Sequence, residues 1–357
     1  MGNVMGNIVL KKLTPAELYN KLQELRDKVL VLDPWVILGF IQDTRELLLV
    51  VDVDKEDHAD DVGEILETTE LNFMSPQLCK RLLRKVMVNR RARGWTIAVL
   101  GREGRQARAA EGLYKWISAN GFGFTRDETK RSDSLVKEVC ELAGSTEDFY
   151  RSFPFLHEGH PFFELGRLYP SLVATADDGR VFLSNFGVAS DPHTYHALGI
   201  HYVVNCSRDL PFVDDVVSTL RSKPRDKSSS MLEDTVQKPI KADLDVQLAA
   251  RLRVPVDDSS DVQISEHFAA SVRFIEESLQ KKDGHVLIHC KHGQSRSATI
   301  AAAYLLHKAK GQSSQRATVD EVLAELKNCR PRASPNLGFL RQLHEFSEGG
   351  DSETRID

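Results

Sequence analysis

A chain of 357 residues, 41% hydrophobic and 28% charged, has the composition of globular protein able to bury one or two cores, with two domains the default. Its net charge of −5 gives no reason to expect nucleic acid as a partner, and no stretch reads as a signal peptide or as a bilayer-spanning helix. The cysteines, Cys79, Cys140, Cys206, Cys290 and Cys329, are scattered and odd in number, which argues against a disulfide framework and for a reduced compartment, the cytoplasm or also the nucleus.

Residues 1–10 read as a tail. Removal of Met1 would expose Gly2, the acceptor of N-myristoylation, although Gly6 stands where Ser or Thr is preferred. Membrane contact is expected only through such a chain, which alone binds marginally and reversibly. Thr14-Pro15-Ala16-Glu17 is a capping box with proline at the first helical position, opening an amphipathic helix through Leu25. Val29–Leu32 then reads as a buried strand, Glu46–Val53 as a second, Pro76–Val86 as a basic amphipathic helix, Trp95–Leu100 as another strand and Glu103–Asn120 as a helix. Strands alternating with helices imply a parallel α/β sheet covered on both faces. Arg126–Asp133 is charged, Ser134–Ala143 has the pattern of a short helix, and Gly144–Gly166 is rich in Gly, Pro and aromatics, so residues 126–166 read as a partly packed linker.

The second half resumes the alternation. Arg180–Asp209 reads as strand, helix, strand; Arg221–Asp245 carries Lys223-Pro-Arg-Asp-Lys-Ser-Ser-Ser230 and Pro239 and is expected to be a mobile excursion. Helix Ser265–Gln280 presents Phe268, Val272, Ile275 and Leu279 on one face, a core stripe. Thr318-Val-Asp-Glu321 caps a further helix, and the acidic tail 348–357 reads as disordered.

Chemistry concentrates in His285-Val-Leu-Ile-His289-Cys290-Lys291-His292-Gly293-Gln294-Ser295-Arg296-Ser297, an apolar strand ending in cysteine, a turn through glycine, and a helix Ser297–Lys310. Backbone N–H groups of such a loop converge ahead of the helix, so dipole and unpaired donors face one point, which suits a tetrahedral phosphate. The same field stabilises negative charge on Cys290, and a thiolate beside a bound phosphate is a nucleophile aimed at phosphorus. Arg296 can grip two equatorial oxygens through its planar fork. Ser297 can cap the helix, or its hydroxyl can stabilise the thiolate as leaving group. His289 reads as a neighbour that orients the loop by hydrogen bonding, since an ionised thiolate needs no base. The proton for the leaving group must come from elsewhere. Val254-Pro-Val-Asp257-Asp258-Ser-Ser-Asp261 supplies the candidates, with Asp261 read as a turn or cap residue.

These residues resemble the His-Cys-x5-Arg-Ser motif of cysteine-dependent protein phosphatases, in the variant typical of dual-specificity phosphatases. The resemblance extends to Arg180–Asp209 and to Arg330-Pro-Arg-Ala-Ser-Pro-Asn336 with Gly-Phe-Leu-Arg-Gln-Leu after it. It implies an α/β phosphatase domain over 167–347, with helices around a mostly parallel sheet. It implies hydrolysis of phosphotyrosine and phosphoserine or phosphothreonine through a phosphocysteine, with no cofactor or metal. In that family the phosphate sits against the loop, here Lys291, His292, Gly293, Gln294 and Ser295 with Arg296. The general acid lies about thirty residues before the cysteine; Asp258 best fits that register and Asp257 is the runner-up. Lys291 directly after the cysteine is also a feature of phosphoinositide phosphatases, whose second basic position is Gln294 here, so a non-protein phosphate is the alternative substrate. A module that binds phosphoproteins without turnover is a third reading, which Cys290, Arg296 and an Asp together argue against.

Ile97-Ala-Val-Leu100-Gly101-Arg102-Glu-Gly104-Arg105-Gln-Ala107 resembles the active-site loop of rhodanese-like domains, as does the opening near Leu13–Asp33. Where the sulfur-transferring members carry cysteine this chain has Gly101, so residues 11–125 read as a rhodanese-like domain without a nucleophile. That domain ahead of a dual-specificity phosphatase domain is the arrangement of mitogen-activated protein kinase phosphatases and of pseudophosphatase-like relatives. In the kinase phosphatases a basic cluster docks an acidic kinase groove. Lys80-Arg81, Arg84-Lys85 and Arg90-Arg91-Ala-Arg93 form a basic run here, against the plainer reading of a solvated helix face. The expected partner is therefore a phosphorylated protein, with a docked mitogen-activated protein kinase as the specific form.

Overall fold

In the first of two units, Met1–Arg167 and Leu168–Asp357, the length of one connection determines the sheet. Strand β2 (Lys28–Asp33) ends two residues before β3 (Val36–Phe40) begins, a gap that closes a hairpin and cannot hold a parallel crossover. The computed structural model describes residues 9–24, 28–33, 36–40, 47–52, 95–100, 107, 110–111, 114–115, 136–157, 160–163, 167–176, 179–222, 244–312 and 317–349.

The sheet of this unit has the order β1-β6-β5-β4-β3-β2, with β1 (Val9–Leu13), β4 (Leu47–Asp52), β5 (Trp95–Leu100) and β6 (Val136–Leu142). The pairs β1·β6, β6·β5 and β5·β4 are parallel, whereas β4·β3 and β3·β2 are antiparallel. The expectation of a wholly parallel sheet is thus corrected: alternating helix and strand accounts for four strands, and the hairpin adds an antiparallel edge. Helix α1 (Pro15–Glu24) forms where the capping box places it, Thr14 and Glu17 exchanging side-chain-to-backbone hydrogen bonds. Ala107, Ala110, Glu111, Tyr114 and Lys115 are helical, as the pattern of 103–120 predicts.

Residues 134–143, expected to be helical and part of a linker, instead supply β6, between β1 and β5. Val136, Val139, Cys140 and Leu142 have helix-like spacing, but a strand flanked on both edges and covered on both faces is apolar without alternation. Of its charged residues Lys137, Glu138 and Glu141, Glu138 is buried and paired with Lys11 at 2.7 Å and with Lys21. Burial beside Glu138 pushes the Cys140 thiol up to about 12. The stretch after β6 also belongs to this unit: helix α2 (Thr146–Ser152) starts from a Ser145–Asp148 capping box, and Phe153 stacks on Tyr19 at 4.3 Å between ring centres.

The second unit is built on a sheet of order β10-β9-β11-β8-β7, from β7 (Ser171–Thr175), β8 (Arg180–Asn185), β9 (Ile200–Asn205), β10 (Ala250–Arg253) and β11 (His285–Cys290). All pairs are parallel except the β7·β8 hairpin. Helices α3 (Phe186–Ala189), α4 (Pro192–Leu198), α5 (Val213–Ser222), α6 (Phe268–Leu279), α7 (Arg296–Gln312), α8 (Val319–Cys329) and α9 (Leu337–Glu348) accompany it. Strand β11 lies at the centre, and its Val286, Leu287 and Ile288 are wholly buried, each such side chain contributing about 1.5–3 kcal/mol. Helix α7 buries Ala298, Ala301, Ala302 and Ala303 together with Ile300 and Leu306. The stripe Phe268, Val272 and Ile275 of α6 is buried, with Leu279 packed at the margin of the same core.

Arg221 and Asp245, which bound the expected excursion, pair at 3.3 Å, while residues 223–243 between them lie outside the described residues. So do Gly2, the basic run Lys80–Arg93, the loop Gly101–Gln106 and the tail from 350. Among the described residues no helix is long and apolar enough to cross a membrane.

Candidate active site

Strand β11 delivers Cys290 to its C-terminal end, and α7 begins six residues later at Arg296. Between them the chain must turn sharply, and Gly293 makes the turn at φ +65°, a left-handed conformation that glycine adopts without the Cβ penalty. The turn brings the Gly293 N–H to 3.2 Å from Cys290 Sγ. The Ser297 hydroxyl, in the first turn of α7, donates to the same sulfur at 3.1 Å. Cys290 is buried, and its sulfur accepts from both donors.

The loop carbonyls are taken up from outside. Phe186 N–H donates to the Lys291 carbonyl at 3.2 Å, Ser334 N–H to that of Gln294 at 2.8 Å, and Arg330 Nε to that of Gly293 at 2.7 Å. Peptide planarity turns the N–H groups of a loop so held toward its hollow, at the N-terminus of the 17-residue helix α7. Arg330 is half-buried; its Nη1 donates to Ser171 Oγ at 3.2 Å, and desolvation holds its guanidinium down to about 10 against the opposing influence of Cys290.

Arg296 reaches under the loop with 7% of its surface exposed, Nη1 donating to the Val256 carbonyl at 3.3 Å. Its Nε is buried without a hydrogen-bond partner, a donor that an anion could satisfy. The adjacent carboxylates of the preceding loop part company. Asp258 turns to the phosphate loop: its Oδ1 accepts from Ser295 Oγ at 2.5 Å and from Asn336 Nδ2 at 3.1 Å, and its Oδ2 lies 3.7 Å from Arg296 Nε. Asp257 turns to solvent and pairs with Arg208 at 3.2 Å, both side chains exposed. Asp261 accepts from the Ser259 hydroxyl as a turn residue, with its carboxyl held below the usual range by that bond.

The residues singled out in the sequence thus fall into three groups. Cys290, Gly293, Ser295, Arg296, Ser297 and Asp258 converge on the loop. Lys291, His292 and Gln294 belong to it through their backbone, with exposed side chains. His289 differs from expectation: its ring makes no hydrogen bond to the loop, Nδ1 is buried without a partner, and the residue acts through its carbonyl, which accepts from Cys206 N–H at 2.7 Å. Full burial holds the imidazole down to about 3, so the neutral ring packs as core beside Phe186. Arg330, Ser334, Asn336 and Ser171 were not assigned a role from sequence. The available signal was Asn336 ahead of the apolar stripe of α9, the mark of a helix cap.

Residues 181–349 match the family model of the dual specificity phosphatase catalytic domain. Dual specificity protein phosphatase 1 of Arabidopsis thaliana is 40% identical over 95 residues, 27% of this chain and 44% of the relative. Dual specificity protein phosphatase 15 of Mus musculus is 40% identical over 104 residues, 29% of this chain and 41% of the relative. Dual specificity protein phosphatase 5 of Homo sapiens is 38% identical over 93 residues, 26% of this chain and 22% of the relative. The chain spans less than half the length of these curated relatives. With the cysteine, the arginine and the loop that joins them in place, residues 181–349 belong to the dual specificity phosphatase catalytic-domain family.

Proposed function

We propose that the chain hydrolyses phosphotyrosine and phosphoserine or phosphothreonine on proteins through a phosphocysteine intermediate. The observation that carries this reading is the convergence of Cys290 Sγ, the unpartnered Nε of Arg296 and the Oδ2 of Asp258 on one hollow. The phosphate occupies the loop, held by the inward N–H groups and by the Arg296 fork. The Cys290 thiolate attacks phosphorus, the bond to the substrate oxygen breaks, and protonated Asp258 gives its proton to that oxygen. Water then attacks the phosphocysteine and loses its proton to the Asp258 carboxylate. Sulfur leaves as a thiolate that accepts from Ser297 and Gly293, and inorganic phosphate departs. The charge on phosphate is balanced throughout by Arg296, loop amides and the α7 dipole.

The test is hydrolysis of para-nitrophenyl phosphate at pH 6 with EDTA present, by the wild type, Cys290→Ser and Asp258→Ala. Turnover abolished by the first substitution and lowered by the second, more on phenyl phosphate than on this activated ester, supports the mechanism; a folded wild type without turnover returns the chain to phosphoprotein binding. The N-terminal unit we read as rhodanese-like and without sulfur-transfer chemistry. Strand β5 ends at Leu100, so Gly101 follows the C-terminal end of a parallel strand, the usual place of an α/β site, and glycine offers no nucleophile there. Docking of a mitogen-activated protein kinase on the Lys80–Arg93 run is the specific form of substrate recruitment; unchanged turnover of a phosphorylated kinase after charge reversal at Arg90 and Arg91 overturns it.

A further inference from the structure

We propose that helix α9 is a latch for the acid loop, and that Asn336 is the positioning residue that aims Asp258. The inference rests on the phosphatase reading above and adds a residue and an element to it.

The side chain of Asn336 does two jobs at once. Its Oδ1 accepts the Phe339 N–H at 3.0 Å, capping α9. With the oxygen so committed, the amide nitrogen must face the other way, and it donates to Asp258 Oδ1 at 3.1 Å. The Asn336 backbone N–H donates to Ser295 Oγ at 3.3 Å, and that hydroxyl donates onward to the same Oδ1. One carboxylate oxygen is therefore tied from both the phosphate loop and α9. The other, Oδ2, stays toward Arg296 Nε at 3.7 Å, beyond direct hydrogen-bond length, and is the oxygen left to carry the proton.

The rest of α9 grips the same loop. Gly338 lies so close to Ser260 that a Cβ would strike its carbonyl. Further along, buried Gln342 clamps the loop with both ends of its amide, Nε2 donating to the Val262 carbonyl at 2.8 Å and Oε1 accepting from Ser265 N–H at 2.9 Å. Fixed this way, Asp258 neither swings to solvent as Asp257 does nor closes onto Arg296, where it would compete with phosphate for the guanidinium.

The discriminating variant is Asn336→Ser, which keeps an oxygen to cap α9 and removes the amide donor. Its readout is kcat/KM on two aryl phosphates: para-nitrophenyl phosphate, whose phenoxide departs with little help, and phenyl phosphate, whose leaving oxygen needs the proton. A misaimed acid lowers kcat/KM for phenyl phosphate roughly tenfold, a part of the roughly hundredfold or more that general acid catalysis contributes, and leaves the nitrophenyl ester within about threefold. Equal losses on both esters, or none, with an unchanged melting temperature, overturn the latch. If the wild type turns over neither ester, the phosphatase reading falls first and the latch with it. Asn336→Asp, which also caps but sets a second carboxylate against Asp258, extends the same selective loss; a normal ratio of the two esters in that variant counts against the assignment.

Discussion

Replacing Gly293 by alanine adds one methyl group at the point where the phosphate loop is most constrained. At φ +65° an L-residue pays about 1–2 kcal/mol for the left-handed conformation. The new Cβ would also lie 2.5 Å from the carbonyl carbon and oxygen of Ser184 and 2.6 Å from Arg330 Nη2. Neither neighbour can yield cheaply. Ser184 is paired with His289 in the β8·β11 ladder, and Arg330 is half-buried with both Nε and Nη1 committed. The loop itself must move, weakening the Gly293 N–H to Sγ and Gly293 carbonyl to Arg330 bonds. Strain, overpacking and these bonds together place the loss at about 3–5 kcal/mol, which lowers the melting temperature by roughly 6–20 °C for a unit of this size. Urea unfolding gives the first quantity, and kcat/KM for para-nitrophenyl phosphate, expected to drop about a hundredfold or more, gives the functional one. Gly311→Ala is the control: no atom lies within 4 Å of a Cβ there, and helix propensity favours alanine by up to about 1 kcal/mol. A Gly293→Ala protein within about 0.5 kcal/mol of wild type and of undiminished activity would refute the account of the loop.

The remaining expectations concern single groups of the site. Ser297→Ala removes a hydroxyl from the leaving thiolate and should lower kcat roughly tenfold to a hundredfold, the range of a hydrogen bond to a charged group, with a burst of nitrophenol showing that phosphocysteine forms and then persists; absence of a burst together with unchanged kcat would remove that role. Asp258→Asn should lower kcat/KM for phenyl phosphate by about a hundredfold or more, whereas Asp257→Asn, which loses an exposed ion pair worth about 0–1 kcal/mol, should stay within about twofold; the reverse order would make Asp257 the acid. His289 is held down to about 3 in the folded chain against about 6.5 unfolded, so the unfolded state takes the proton first as pH falls. Its contribution to stability is complete above about pH 6.5 and is lost progressively toward pH 3, amounting to about 2 kcal/mol by pH 5. Urea unfolding of wild type and His289→Asn at pH 7 and pH 5 should show that extra loss in the wild type alone, and parallel curves would count against a buried neutral ring.

Local signals placed several elements of the second unit although its strands do not follow chain order in the sheet. The apolar run His285–Cys290, the α6 stripe and the Thr318 capping box each report on a window of a few residues, and each is found where that window places it. The N-terminal unit defeats the same reasoning at β6. Val136, Val139, Cys140 and Leu142 carry a helical period, and a buried Glu138 argues against a central strand until Lys11 and Lys21 are known to meet it. The residues that make the strand affordable lie more than a hundred positions away, where no local pattern reaches. Strand β3 escaped for a different reason: at five residues it is too short to give a period of its own, and only the brevity of its connection to β2 dictates an antiparallel pairing.

The site divides along the same line. Cys290, Gly293, Arg296 and Ser297 form one strand–turn–helix unit, so their spacing alone implies that sulfur, amides and guanidinium share a point. Spacing leaves Asp257 and Asp258 as alternatives, and what separates their surroundings is contacts that spacing does not contain: Arg208 draws Asp257 outward while Ser295 and Asn336 draw Asp258 inward. Asn336 is the clearest instance. That it caps α9 is legible, because the helix it starts is the next thing in the chain. That the other half of its amide serves a carboxylate is not legible, because the direction of that half has meaning only once Asp258, 78 residues earlier, is brought to meet it. A side chain whose acceptor serves its own helix and whose donor serves a distant loop couples the closing helix to the acid, and so ties the placement of the proton to the integrity of α9.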